Sequence, residues 1–157
     1  MKVPNWGTWL DMADLYAQRM SGCRKVSVGS IITDRTGSRV LGIGANKSIP
    51  DLCKTRECLR VEKYGNNDKT HRGPADCRAI HSEIDAICNS TQDLRGSVIH
   101  VTRYPCEACA RAIVAAGIKT VVFGRQQPIS EETQKIFESY GVEVIWNKKW
   151  DAPDVNN

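Results

Sequence analysis

The strongest constraint on the fold of this chain is a pair of short segments, "HSEIDAI" at 81–87 and "PCEAC" at 105–109, each read as a helix start after irregular chain. Pro105 suits the beginning of a helix, because its ring fixes φ and it has no N–H to leave unbonded. Cys106 and Cys109, one helical turn apart, can then share a face near that start. The partial positive charge of a helix N-terminus favours thiolate over thiol, and a metal favours it further. His81, near the start of the preceding helix, completes a Cys₂His set around zinc and leaves a fourth position for water. A fold that satisfies this pattern must aim two helix starts at one point.

Glu83 follows His81 by two residues, about 200° round an ideal helix, so the pair cannot share a side face. The two converge only if the helix presents its N-terminal end to the metal. A carboxylate there need not be a ligand: it can take a proton from zinc-bound water and pass it to a leaving group. Two thiolates neutralise Zn²⁺ and leave its water less acidic than a tris-histidine site would, which makes the neighbouring base more important. Taken singly, a Cys-x-x-Cys pair also fits a structural zinc corner or a redox pair, and a lone histidine fits a satisfied polar residue. His-x-Glu followed by Pro-Cys-x-x-Cys is the combination found in zinc-dependent nucleobase deaminases.

The rest of the composition narrows the setting. The chain has 157 residues, the size of one ordinary domain, and 1–157 is read as a single catalytic unit. Its apolar runs are too short to cross a bilayer. "MKVPNWGTWLDMADLY" carries acids early and has no uninterrupted apolar stretch, so no leader is expected and the protein is placed in the cytoplasm. There the seven cysteines are better read as metal ligands or buried thiols than as disulfides. The net charge of +4 is scattered along the chain. It suits a phosphorylated small molecule, whereas a nucleic-acid editor would need a clustered basic surface.

Hydrophobic periodicity gives the element order. "TWLDMADLYAQRMSG" reads as a helix opened by Thr8 with Asp11, with Trp9, Met12, Ala13, Tyr16 and Met20 on its core face. "KVSVGSIIT" and "RVLGIGA", separated by "DRTGS", read as a hairpin over 25–45. Periodicity fails from 47 to about 75, a stretch read as an irregular, functional or metal-tied insert. Then follow helix 76–89, strand 97–102, helix 106–116, strand 119–124, helix 130–140 and strand 142–146, with Cys88 expected in the core. These lengths demand parallel crossovers. The expected architecture is a three-layer α/β/α domain with a five-stranded mixed sheet.

At this point the sequence resembles the deoxycytidylate (dCMP) deaminase family, within the cytidine-deaminase-like superfamily, over nearly its whole length. "GCRKVSVGSIITD" resembles that family's cysteine-containing lead into a Val-Gly-Ala strand, "GAN" at 44–46 its Gly-Tyr-Asn segment, and "CLR…CRAIHSEIDAI" its Cys/His-rich insert and active-site helix. "VTRYPCEACARAIVAAGIKTVVFG" carries the likeness furthest, and its "AAGIK" differs from the usual continuation in tRNA adenosine deaminases. The resemblance implies hydrolytic conversion of dCMP to dUMP, a thymidylate precursor. Zinc would sit on His81, Cys106 and Cys109, with Glu83 as the proton carrier, Asn46 at the sugar and Tyr104 beside the base or phosphate. It also implies a homohexamer, dCTP and dTTP as effectors, and a second, structural zinc on Cys23, Cys53, His71 and Cys77, with Cys58 as a substitute ligand.

The chain departs from the family pattern at several places. His-Ala-Glu-x-Asn is here His81, Ser82, Glu83, Ile84, Asp85, and Gly-Tyr-Asn-Gly is Gly44, Ala45, Asn46, Lys47. The missing Tyr and Gly belong to the segment linked with nucleotide regulation, and Lys47 could contact phosphate instead. Asp85 puts a charge where the family has an amide. That opens an alternative, deamination of a modified pyrimidine nucleotide or another base. A nucleotide-binding regulator with a structural zinc is the non-enzymatic alternative, and it would have no need of Glu83.

Overall fold

The computed structural model describes residues 6–23, 25–49, 53, 58–65, 77–126 and 130–150; His71 and most of the 47–75 insert lie outside these. The strand that organises the rest is "VIHVTR". It is buried on both faces along almost all of its length, so it must be covered from both sides.

This strand is β3 (Val98–Arg103), the centre of a five-stranded sheet with order β2-β1-β3-β4-β5. The opening hairpin, β1 (Gly29–Thr33) and β2 (Val40–Ala45), is antiparallel, and β1 also pairs antiparallel with β3. β3, β4 (Thr120–Arg125) and β5 (Glu143–Trp146) are parallel. The crossovers run through α4 (Glu107–Ala115) and α5 (Glu131–Ser139). α1 (Trp6–Met20) covers one face, where Leu10, Val98 and Val122 form a small core with Trp6, Ile145 and Trp150 against it. On the other face α3 (Ser82–Cys88), α4 and α5 enclose the larger core, which includes Ile32, Ile99, Val101, Ile113, Val121 and Phe137. The three-layer, mixed-sheet expectation holds.

Three local expectations need correction. The core face of α1 is Leu10, Ala13 and Ala17, while Met12 and Met20 are exposed and Thr8 lies inside the helix, which starts at Trp6. The cause is a close approach. A Cβ on Gly29 would stand about on top of the carbonyl oxygen of Ala13, so the helix backbone rests on β1 and only small side chains fit between them. Within the insert a short helix, α2 (Leu59–Tyr64), forms after Cys58. Cys88 is exposed, because α3 ends there.

His100, which sequence reasoning left without a role, is fully buried on the α1 face of β3. Its Nε2 shares a 3.0 Å hydrogen bond with Thr33 Oγ1, and its ring lies 5.1 Å from Trp6 and 6.2 Å from Trp9, centroid to centroid. Burial holds its pKa down to about 3. The folded state thus keeps His100 neutral where the unfolded chain, with an imidazole near 6.5, takes up a proton. Stability from this group is complete above 6.5 and is lost as pH falls toward 3. We expect His100→Gln, which does not titrate, to flatten the acid limb of a stability-against-pH curve by up to roughly 1.4 kcal/mol per pH unit in that window. Denaturant titrations at several pH values measure it.

Candidate active site and metal centre

α3 does not begin at residue 76. Ile80 is extended and exchanges both backbone hydrogen bonds with Lys47, N–H to O at 2.8 and 2.9 Å, so the chain before His81 is tied to the end of β2. His81 is therefore the N-cap of α3, with φ −75° and ψ 152°, and Glu83 falls in the first turn. Cys106 likewise caps α4, in extended geometry (φ −81°, ψ 172°), with Cys109 buried in the first turn. Both helices thus direct their N-terminal ends at one place, and α3 reaches it because β2 offers glycine. A Cβ on Gly44 would collide with Ala86 N and Ser82 O, so the helix packs directly on the strand backbone.

His81 Nδ1 lies 3.4 Å from the sulfurs of both Cys106 and Cys109. The three ligand atoms are within 4.8 Å of one another, the one such His/Cys/Asp/Glu group among the described residues. The Cys106 thiol is pulled down to about 4, first by a hydrogen bond from Cys109 and then by His81. His81 is pushed up to about 10, first by its hydrogen bond to Cys106 and next by one to Cys77. Cys109 is pushed upward by sharing its proton with Cys106. Without a metal, one thiolate, one thiol and one imidazolium therefore hold each other through shared protons. A divalent metal replaces such protons at soft donors, and two sulfurs with one imidazole are the donor set of a zinc site with an open position.

Glu83 is 4% exposed, and burial raises its pKa, opposed by the neighbouring His81. Its carboxylate is hydrogen-bonded to the Cys109 thiol and accepts the Ser82 hydroxyl at 3.2 Å. It therefore lies alongside the cluster in a dry setting. Asp85, two residues on, is also buried, and its oxygens are both engaged. Oδ2 accepts the Ala45 N–H at 3.1 Å, and Oδ1 pairs with Lys47 Nζ at 2.8 Å. The two departures of opposite charge noted in the sequence are thus one contact, which clamps the end of β2 onto α3. We expect Asp85→Asn, which keeps an acceptor for Ala45, to cost less than about 1 kcal/mol of stability. Asp85→Ala leaves that buried N–H unpaired and should cost about 2–3 kcal/mol. Urea unfolding of the two variants separates the cases.

Asn46 and Tyr104 are both nearly buried. Asn46 Oδ1 accepts from Val28 N at 2.8 Å and Ser21 Oγ at 2.6 Å, and its Nδ2 donates to Val26 O at 2.8 Å. Tyr104 packs edge-on against Phe123, centroids 4.9 Å apart. Of the residues expected to hold a second zinc, His71 lies outside the described residues, and Cys23, Cys53 and Cys77 form no three-ligand group. Cys77 instead contacts His81. Sequence reasoning missed Ser30, Ser82 and Cys77 as neighbours of the site. For the serines, the signal was a hydroxyl inside otherwise apolar helix-start and strand patterns.

The profile of the cytidine and deoxycytidylate deaminase zinc-binding region matches residues 6–125. The deoxycytidylate deaminase of Mycobacterium phage D29 is 33% identical over 138 residues, covering 80% of this chain and 99% of the phage protein. ComE operon protein 2 of Bacillus subtilis (strain 168) is 32% identical over 130 residues, or 79% of this chain, and the chain spans 61% of that protein's length. Mouse deoxycytidylate deaminase is 34% identical over 116 residues, again with 61% of its length spanned. Among solved structures, the dCMP deaminase from cyanophage S-TIM5 in complex with dCMP and dUMP aligns with a TM-score of 0.68 at 24% identity, over 93% of this chain and 98% of that one, a likeness of fold. With a matching profile over most of its length, two helix starts converging on His81, Cys106 and Cys109, and a buried glutamate beside them, this chain belongs to the cytidine and deoxycytidylate deaminase zinc-binding family.

Proposed function

We propose that this chain hydrolyses dCMP to dUMP and ammonia as a single catalytic domain. The observation that carries the reading is the placement of Glu83: a buried carboxylate in contact with Cys109 and beside the metal-binding trio, where a purely structural zinc site has no use for a base. Zinc held by His81, Cys106 and Cys109 supplies Lewis acidity that makes water a nucleophile near neutral pH. Glu83 takes a proton from the attacking water as its oxygen adds to C4 and places that proton on N3. It then takes the remaining hydroxyl proton and delivers it to the 4-amino group. The C4–N bond breaks, ammonia leaves and C4 becomes a carbonyl. Burial favours the neutral acid, so Glu83 is suited to hold the proton between the two transfers.

That the phage D29 and mouse relatives are deoxycytidylate deaminases supports dCMP as the nucleotide. The engagement of Asp85 by Ala45 and Lys47 removes the reason to look first to another base. In this reading Asn46 shapes the sugar end of the site, and Tyr104 backs the base from the core. A homohexamer, control by dCTP and dTTP, and a second zinc on Cys23, Cys53, His71 and Cys77 rest on the resemblance alone. Among the described residues no helix is long and apolar enough to cross a membrane. The test is a comparison of dCMP, CMP, deoxycytidine, 5-substituted dCMP and guanine with the zinc-loaded protein. dCMP should be turned over fastest; its failure alone would move the assignment to a modified pyrimidine. An unchanged zinc count in Cys53→Ala would remove the second metal.

A further inference from the structure

Two hydroxyls lie behind Glu83. Ser30 on β1 and Ser82, the first residue of α3, have no solvent exposure, and their Oγ atoms are 2.7 Å apart. Ser82 donates to Glu83 Oε2 at 3.2 Å. A serine hydroxyl has one proton to give. With the Ser82 proton on the carboxylate, the proton between the serines comes from Ser30, so the chain has a direction: Ser30 to Ser82 to Glu83. Successive hydrogen bonds of one sense polarise each other, and they do so more strongly in a dry interior.

Neither position needs a hydroxyl to build its element. Both match alanine in the Val-Gly-Ala and His-Ala-Glu patterns quoted above, and a buried hydroxyl costs stability unless it is bonded. The two polar side chains face each other across the β1–α3 contact, and Glu83 lies at the end of the line they form.

We propose that Ser82, supported by Ser30, is a positioning residue for Glu83: it holds Oε2 and so fixes the rotation of the carboxylate in the orientation used for both proton transfers. The inference rests on the deaminase reading of the site. A carboxylate free to rotate reaches the same substrate atoms less often, so the loss falls on the chemical step and leaves nucleotide binding intact.

The test is a double-mutant cycle on the zinc-loaded protein, with zinc content, kcat and KM for dCMP measured throughout. Ser82→Ala is expected to lower kcat roughly 5- to 20-fold with KM and zinc unchanged, and Ser30→Ala roughly 2- to 5-fold. The double variant should be no slower than Ser82→Ala, because Ser30 acts only through Ser82. A wild-type kcat in Ser82→Ala, a rate loss matched by zinc loss, or losses that multiply in the double variant would each overturn the proposal. If the wild-type protein leaves dCMP untouched, the deaminase reading fails separately. The hydroxyl chain is then read from thermal unfolding of Ser82→Ala and Glu83→Gln singly and together, where additive shifts in Tm would overturn it and non-additive shifts would support the contact.

Discussion

Glu83→Gln is expected to lower dCMP turnover by about 10²- to 10⁴-fold while zinc content and nucleotide affinity stay near those of the parent protein. Glutamine has the shape of glutamate and still offers an oxygen to the Ser82 hydroxyl, so the hydrogen bond seen at 3.2 Å survives. It cannot take up a proton and release it, which is the role given to Glu83. The carboxylate is buried and its pKa is raised by that burial, so its ionised form is disfavoured in the fold. A neutral amide should therefore leave the thermal midpoint no lower. Steady-state kinetics beside a metal assay decides it: a variant that keeps much of its rate would show that another group carries the proton.

Cys106→Ala is expected to lose both metal and activity. Cys106 is the group on which the cluster's protons converge, with His81 Nδ1 3.4 Å away and Cys109 hydrogen-bonded to it. Removing it leaves one thiol and one imidazole, two donors where a tetrahedral site with an open position needs three. Bound zinc should fall from about one per chain toward zero at this site. Added zinc should also cease to raise Tm, because a ligand stabilises only the state that binds it. Metal analysis and thermal scans with and without zinc measure both effects. A variant that retained its zinc shift would place the metal elsewhere.

The chemistry was legible in the sequence because it is local. Glu83 stands two positions after His81 and Cys109 three positions after Cys106, so each pair needs one helix start, and both starts exist. The sheet was legible because "VIHVTR" and "TVVFGR" can pair in parallel only through a crossover helix. What failed depends on contacts distant in sequence. Periodicity extends through "CRAI" and suggests a longer α3, but the backbone of Ile80 pairs with Lys47, which no local pattern records. On α1 the large side chains Met12 and Met20 drew the core face to the wrong side. Of the expected face Ala13 is fully buried and is joined by Leu10 and Ala17, since Gly29 lets the helix backbone sit on β1. Asp85 and Lys47 each stood out as departures, and only the fold shows that they are partners. Ser30 and Ser82 are 52 residues apart and joined only by the packing of α3 against β1.

The most direct measurement of the central claim is the fate of dCMP with the purified, zinc-loaded protein, followed by separating the nucleotides and assaying ammonia in the same samples. dUMP and ammonia should appear in equal amounts, stop when a chelator removes the metal, and resume when zinc is restored. A folded protein that holds zinc on His81, Cys106 and Cys109 yet leaves dCMP unchanged would contradict it.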